Sequence, residues 1–189
     1  MTKPKISVLI PTYNYARYLP EAIESVLKQD WQDLEVLISD DASTDESANV
    51  IARYAAIDNR IRVKIHLANM GMVENWNWCL SQARGEYIKY LFGDDVLASP
   101  RALSRFVESL ESNPSAVLVV SSRYLINENS RIVDVGNDFK AFGFHSGSDA
   151  ITRCMKRYKN LLGEPSVVMF RRFAAERGFD TAYRQGRIF

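Results

Sequence analysis

Short apolar runs alternate with segments of helical spacing through the first two-thirds of the chain, and this alternation restricts the fold more than any other feature. Ile6–Ile10 (ISVLI) is followed by Tyr18, Ala22, Ile23, Val26 and Leu27 at helical intervals. Leu34–Ser39 (LEVLIS) is followed by Val50, Ile51, Tyr54 and Ala55, and Ile61–Ile65 by Val73, Trp76, Leu80 and Ala83. A fourth run, Glu86–Phe92 (EYIKYLF), ends directly in Gly93-Asp94-Asp95. Leu103, Phe106, Val107 and Leu110 then lead to a fifth run, Ala116–Val120. Strands alternating with helices predict βα units and a mostly parallel α/β sheet.

Local signals refine these boundaries. Ser43 stands three residues before Glu46, a capping-box pattern that predicts a helix start. Ser99-Pro100 reads as an N-cap and first-turn pair, and Asn113-Pro114 as a helix stop. Past Ile126 the periodicity weakens: Ile126–Gly147 reads as short strands and loops, Asp149–Tyr158 as a helix, and Ser166–Phe170 (SVVMF) as a last short strand. With 189 residues the expectation is one domain spanning 1–189.

Charge and cysteine content exclude several classes. The net charge of +1 gives no field that would draw nucleic acid. Two cysteines, Cys79 and Cys154, make neither a disulfide framework nor a cysteine-only metal site. No run reaches the length of a membrane span, and the start is too short for a signal sequence. A soluble, cytoplasmic chain is expected, with peripheral contact at the inner membrane face or self-association left open. No GxGxxG or Walker-type loop is present, which argues against a dinucleotide site or P-loop. His66 and His145 lack ligand spacing and read as structural, and the basic run Arg153 to Lys159 as a solvated helix face.

In open α/β sheets, ligands bind beyond the carboxyl ends of the strands. Three polar clusters fall there: Pro11-Thr12-Tyr13-Asn14, Asp40-Asp41 and Gly93-Asp94-Asp95. Adjacent carboxylates at a partly desolvated strand end repel, and a hard dication resolves that conflict. The competing reading is a solvated acidic turn. Asp40 and Asp41 serve either as acceptors for a base or ribose or as helix-capping acids. Tyr13 reads as a stacking platform or as a loop residue packed on its own domain. Asn69 and Asn77 flank a helix start, where such amides often bond backbone.

Together these segments resemble the family 2 glycosyltransferases of GT-A fold. The likeness is carried by ISVLIPTYN (Ile6–Asn14), VLISDDASTD (Val36–Asp45), the segment Asn69–Tyr87 ending in ARGEY, and LFGDD (Leu91–Asp95) at the place of the family's DxD-type motif. Gly163-Glu164-Pro165-Ser166 and Phe170-Arg171-Arg172 resemble a subgroup. The resemblance implies a Rossmann-like sheet flanked by helices on both faces, with a nucleotide-binding half at about 1–97 and an acceptor-side half at about 98–189. It implies inverting transfer from a nucleotide-diphosphate sugar, a UDP-sugar being favoured, to a saccharide, lipid-linked or protein acceptor in bacterial polysaccharide or glycoconjugate synthesis. Pro11, Thr12, Tyr13, Asn14, Asp40, Asp41, Asn69, Asn77 and Asp94 would meet the nucleotide. Asp95 would be the principal ligand of Mn2+ or Mg2+, with Asp94 beside it.

The general base expected after a Gly-Phe-Asp stretch does not follow Gly178-Phe179-Asp180, and Asp180 and Glu164 stand as substitutes. A truncated, catalytically silent nucleotide-sugar-binding domain is the alternative. A nucleotidyltransferase lacks its glycine-rich basic loop here, and a receiver domain would place its acid pair after the first strand.

Overall fold

The computed structural model describes residues 3–136 and 143–182. Its strands are β1 (Ile6–Thr12), β2 (Leu34–Asp40), β3 (Ile61–Ile65), β4 (Tyr87–Tyr90), β5 (Leu118–Val120), β6 (Arg123–Ile126), β7 (Ile132–Gly136) and β8 (Val168–Arg171). Its helices are α1 (Leu19–Leu27), α2 (Ser47–Ile57), α3 (Met72–Gln82), α4 (Ala102–Glu111) and α5 (Gly147–Arg157). Six strands form one sheet in the order β3-β2-β1-β4-β8-β5, and β6 and β7 make a separate hairpin.

The alternation sets the layers. β1, β2, β3 and β4 pair in parallel, as successive βα units require. Ile6, Val8 and Ile10 of β1 bury against Ile23 and Val26 of α1, Val50 and Ile51 of α2 and Val107 of α4. On the other face Leu9, Ile88 and Tyr90 pack with Cys79 of α3 and, half-buried around them, Trp76, Trp78 and Leu80. Helices therefore cover both faces. Each fully buried Ile or Val contributes about 1.5–3 kcal/mol over its exposed state. Gly85, two residues before β4, lets the chain approach β1 closely, since a Cβ there would lie 2.5 Å from the Ser7 backbone nitrogen.

β8 is not a terminal addition to the sheet. It runs antiparallel between β4 and β5, pairing Lys89 with Met169 and Val119 with Met169. β5 is shorter than the apolar run suggested, because Ala116 N–H turns back to the Asn113 carbonyl at 2.9 Å. The β6–β7 hairpin and α5 fall where weak periodicity placed short strands and a helix.

Two helix starts differ from the sequence signals. Ser43 does not cap α2: its hydroxyl accepts from Asn14 N–H at 2.8 Å and contacts the Asp40 carboxylate. α2 begins at Ser47, whose N–H donates to Asp45 at 2.9 Å. α4 likewise starts after Arg101, with Ser99 accepting the Arg101 N–H one turn earlier. In both places the serine is used to shape the preceding loop.

Candidate active site

β1 and β2 run further than their apolar cores, to Thr12 and Asp40, and this carries the polar clusters into the sheet edge. Pro11 and Thr12 are buried strand residues. Tyr13 is the first exposed one, with 45% of its surface free. Asn14 adopts a left-handed backbone (φ 57), and its amide oxygen accepts from Thr44 N–H at 2.8 Å. Tyr15 and Ala16 donate to Ser47 and Asp45, so the β1–α1 loop is stitched to the β2–α2 loop. Ala42, also left-handed at φ 59, turns that second loop.

The acid pair of β2 is consumed by the protein. Asp40 has no exposed surface, and its carboxylate is taken up by the Ser43 backbone N–H and hydroxyl. Asp41, 2% exposed, accepts from Met70 N–H at 2.8 Å and Gly71 N–H at 3.0 Å. Asn69 donates its amide to the Asp41 carbonyl at 3.1 Å. Asp40 thus shapes the loop in this structure, close to the capping alternative read for it from the sequence. Asp41 and Asn69 hold the segment entering α3.

Asn77 takes the backbone-bonding alternative. Its amide donates to the Phe179 carbonyl at 2.8 Å and accepts the Phe179 N–H at 2.7 Å. Both ends are spent on one backbone residue, whose ring packs on Trp76 and Tyr90. Asn77 anchors the end of the described chain.

After β4, Leu91 N–H still bonds Leu9, but the Phe92 N–H leaves the ladder for the Ser166 hydroxyl at 3.1 Å. Residues 92–95 then close a turn through Asp95 N–H and the Phe92 carbonyl at 3.0 Å. Gly93 permits it, since a Cβ there would come within 3.0 Å of the Thr12 hydroxyl and 3.1 Å of the Tyr15 ring. The two carboxylates diverge in environment. Asp94 is exposed, and burial together with the charge of that acid raises the Tyr15 pKa. Asp95 is pushed above the usual carboxylate range by burial. Ser166 and Lys89 oppose the rise, and Asp94 and Glu164 add to it.

Three residues of this corner escaped the sequence reading: Tyr15, Lys89 and Arg123. Lys89 left a signal, being a lysine within an otherwise apolar strand. It is fully buried, and burial pushes its pKa down to about 7. Arg123 of β6 pairs with Glu164 at 3.2 Å and brings the hairpin to the site. Glu164 is 61% exposed in its side chain and acts electrostatically on Asp95. Asp180 instead accepts the Ala182 N–H at 2.9 Å in a turn of its own. The residues after it, 183–189, lie outside the described part.

The other reactive side chains are structural. His66 bonds Ser39 at 3.0 Å and meets Trp78 edge-on at 5.1 Å. His145 pairs with Asp149 at 3.3 Å. Both cysteines are free thiols, and burial pushes Cys79 up to about 12.

The donor set at Gly93–Asp95 is all oxygen. Among the described residues no three His, Cys, Asp or Glu side chains gather to hold a metal unaided. Magnesium-like ions typically take one or two carboxylates and complete their shell with phosphate oxygens and water. A strand-end acid whose ionisation is opposed by burial and two neighbouring carboxylates fits that mode.

The sequence matches the family described as Glycosyl transferase family 2 over residues 7–179. The chain belongs to that family. The glycosyltransferase GlyG of Streptococcus pneumoniae serotype 4 is 34% identical over 138 residues, 71% of this chain and 45% of that protein. The chain spans less than half the length of the curated relatives it matches first. Among solved structures, S. aureus TarS 1-349 in complex with UDP superposes with a TM-score of 0.75 at 24% identity, covering 96% of this chain and 52% of that one. The mannosyltransferase PcManGT from Pyrobaculum calidifontis, in complex with GDP-Man and Mn2+, gives 0.68 at 21%, covering 96% and 49%. These likenesses show the fold, which is GT-A. Among the described residues no helix is long and apolar enough to cross a membrane.

Proposed function

We propose that this family 2 chain transfers a sugar from a nucleotide-diphosphate donor, a UDP-sugar by preference, to an acceptor hydroxyl in bacterial glycoconjugate synthesis. The observation that carries the reading is the Asp95 carboxyl. It stands at the carboxyl end of the sheet, held above its ordinary range by burial and by Asp94 and Glu164. Such an acid is short of positive charge.

A divalent cation bound there would supply Lewis-acid stabilisation of the departing diphosphate. Asp95 is its principal ligand in this reading, and Asp94 its second or a ribose contact steered by Tyr15. Tyr13 offers an exposed ring to the base. Pro11, Thr12 and Asp41 line the floor from buried positions, with Asn14 and Asn69 fixing the loops around them.

Glu164 is the carboxylate this chain presents to the sugar or acceptor, oriented by Arg123. In transfer with inversion, the acceptor oxygen bonds the anomeric carbon as the bond to the diphosphate oxygen breaks. The acceptor proton passes to a carboxylate acting as base. Glu164 suits that duty better than Asp180, whose carboxylate closes its own turn. The acceptor is a saccharide, lipid-linked or protein hydroxyl, as the family resemblance implies.

A thermal-shift panel of nucleoside diphosphates with and without Mn2+ tests the reading. Binding to the folded state raises stability by mass action, about 2.7 kcal/mol at a hundredfold excess over Kd. The cognate base gives a metal-dependent rise. Equal curves with and without metal for every nucleotide overturn the proposal.

A further inference from the structure

Lys89 lies in the centre of the sheet with no exposed surface, and the chemistry above does not use it. Its cross-strand neighbours are Val8 on β1 and Met169 on β8. Its ammonium sits 5.3 Å from the centroid of the Phe106 ring of α4. An amine in such surroundings opposes folding unless its hydrogens find acceptors. Packing alone is served by methionine, which fills similar space without a polar group.

The amine finds two backbone carbonyls. It donates to Tyr90 at 3.1 Å and, in a close contact, to Ser166. The Ser166 side chain completes the circuit. Its oxygen accepts the Phe92 N–H at 3.1 Å, and the Phe92 carbonyl in turn accepts the Asp95 N–H at 3.0 Å.

We propose that Lys89 and Ser166 form a latch joining the Asp95 turn to the Gly163–Ser166 segment, with Lys89 as a positioning residue for Asp95. The latch fixes Ser166 through its carbonyl, and the Asp95 turn through the Phe92 N–H that the serine oxygen accepts. Glu164, in the same segment, is thereby held at a set distance from Asp95. Reacting groups need such fixed spacing for alignment. The consequence for metal rests on the functional reading above; the latch itself does not.

The test has two readouts, on the native chain, Lys89→Met, Ser166→Ala and Ser166→Thr. The first is amide hydrogen exchange in the ligand-free protein, followed residue by residue. Loss of a buried hydrogen bond to a charged group is worth about tenfold or more in local opening. Phe92 N–H exchange should rise by at least about tenfold in Lys89→Met and Ser166→Ala. Leu91 N–H, bonded to Leu9, should keep its protection, and Ser166→Thr should restore that of Phe92.

The second readout is Mn2+ affinity of the UDP-bound chain at fixed pH. Lys89→Met and Ser166→Ala should each weaken it by about tenfold, and the double variant by little more than either alone, because one unit is broken twice. Retained Phe92 protection in Lys89→Met overturns the latch. So does unchanged Mn2+ affinity after protection is lost, or a double variant weakened by the product of the two single losses. Should Lys89→Met fail to fold, the Ser166→Ala and Ser166→Thr pair decides by the same criteria. A native chain showing no Mn2+ dependence with any nucleotide sinks the functional reading, while the exchange result still decides the latch.

Discussion

Glu35 is a buried acid at the amino end of β2 and Asp95 a half-buried acid beyond the carboxyl end of β4, and the protein treats them in opposite ways. Burial alone would raise the Glu35 carboxyl. Hydrogen bonds from Ser7 at 2.6 Å, Arg84 N–H at 2.7 Å and Arg62 at 2.6 Å outweigh it and hold the group below the usual range. Burial raises Asp95 too, but there the Ser166 hydroxyl and the Lys89 charge do not make up the difference. Glu35 is saturated by its own chain and ties β1, β2 and the start of β4 together. Asp95 is left with its ionisation opposed. An acid that builds the fold is one whose demands are met within it; an acid that serves a ligand has part of its demand left open.

The largest effect expected from this contrast is at Glu35. Glu35→Ala strands the Ser7 hydroxyl and the Arg84 amide, and should cost about 3 kcal/mol in urea unfolding. Nucleotide binding by the fraction that remains folded should be unchanged; its loss would erase the distinction. Asp95→Asn is the mirror experiment. It should leave the unfolding midpoint within about 0.5 kcal/mol of native, as substitutions that break no satisfied network do. It should also abolish the Mn2+-dependent thermal shift with nucleotide.

A third test uses pH. The Glu35 carboxyl is lower folded than unfolded, so its stabilising contribution is full above the unfolded value. It is lost as pH falls from the ordinary glutamate range through the depressed folded value. Acid titration of stability in Glu35→Gln should therefore fall less steeply below about pH 4.5 than in the native chain. Parallel curves would show that Glu35 is not bound as described. Asn77→Ala, which frees the Phe179 backbone, should cost about 1 kcal/mol and leave Mn2+ affinity alone. The smallest effect is at Ala42, whose left-handed backbone suits glycine. Ala42→Gly should stabilise by under about 1 kcal/mol in the same unfolding assay.

Much of this architecture is readable from residue order. The β1 to β4 runs, the α1 to α4 stripes and the turn at Gly93–Asp95 follow from apolar period and from glycine and acid placement. What is not readable depends on partners distant in sequence. Nothing near Asp40 says that Ser43 will absorb its charge, and the Ser43–Glu46 spacing signals a cap that the structure does not make. Asn77 looks like a polar residue free for ligand until Phe179, from the far end of the chain, claims both ends of its amide. Lys89 is visible as an anomaly in its strand, but its meaning lies in Ser166, which arrives by an antiparallel return.

That return has a consequence in time as well as in space. β8 fills the gap between β4 and β5, so the outer edge of β4 has no partner until Val168–Arg171 have been made. Ser166, whose carbonyl accepts from the Lys89 ammonium and whose hydroxyl accepts the Phe92 N–H, arrives in the same stretch of chain, so neither bond can form before that stretch is made. Long-range pairing of this kind is slow to form. A ribosome-bound chain short of β8 would lack both the partner of β4 and the link to β5, and its Asp95 turn would stand without Ser166.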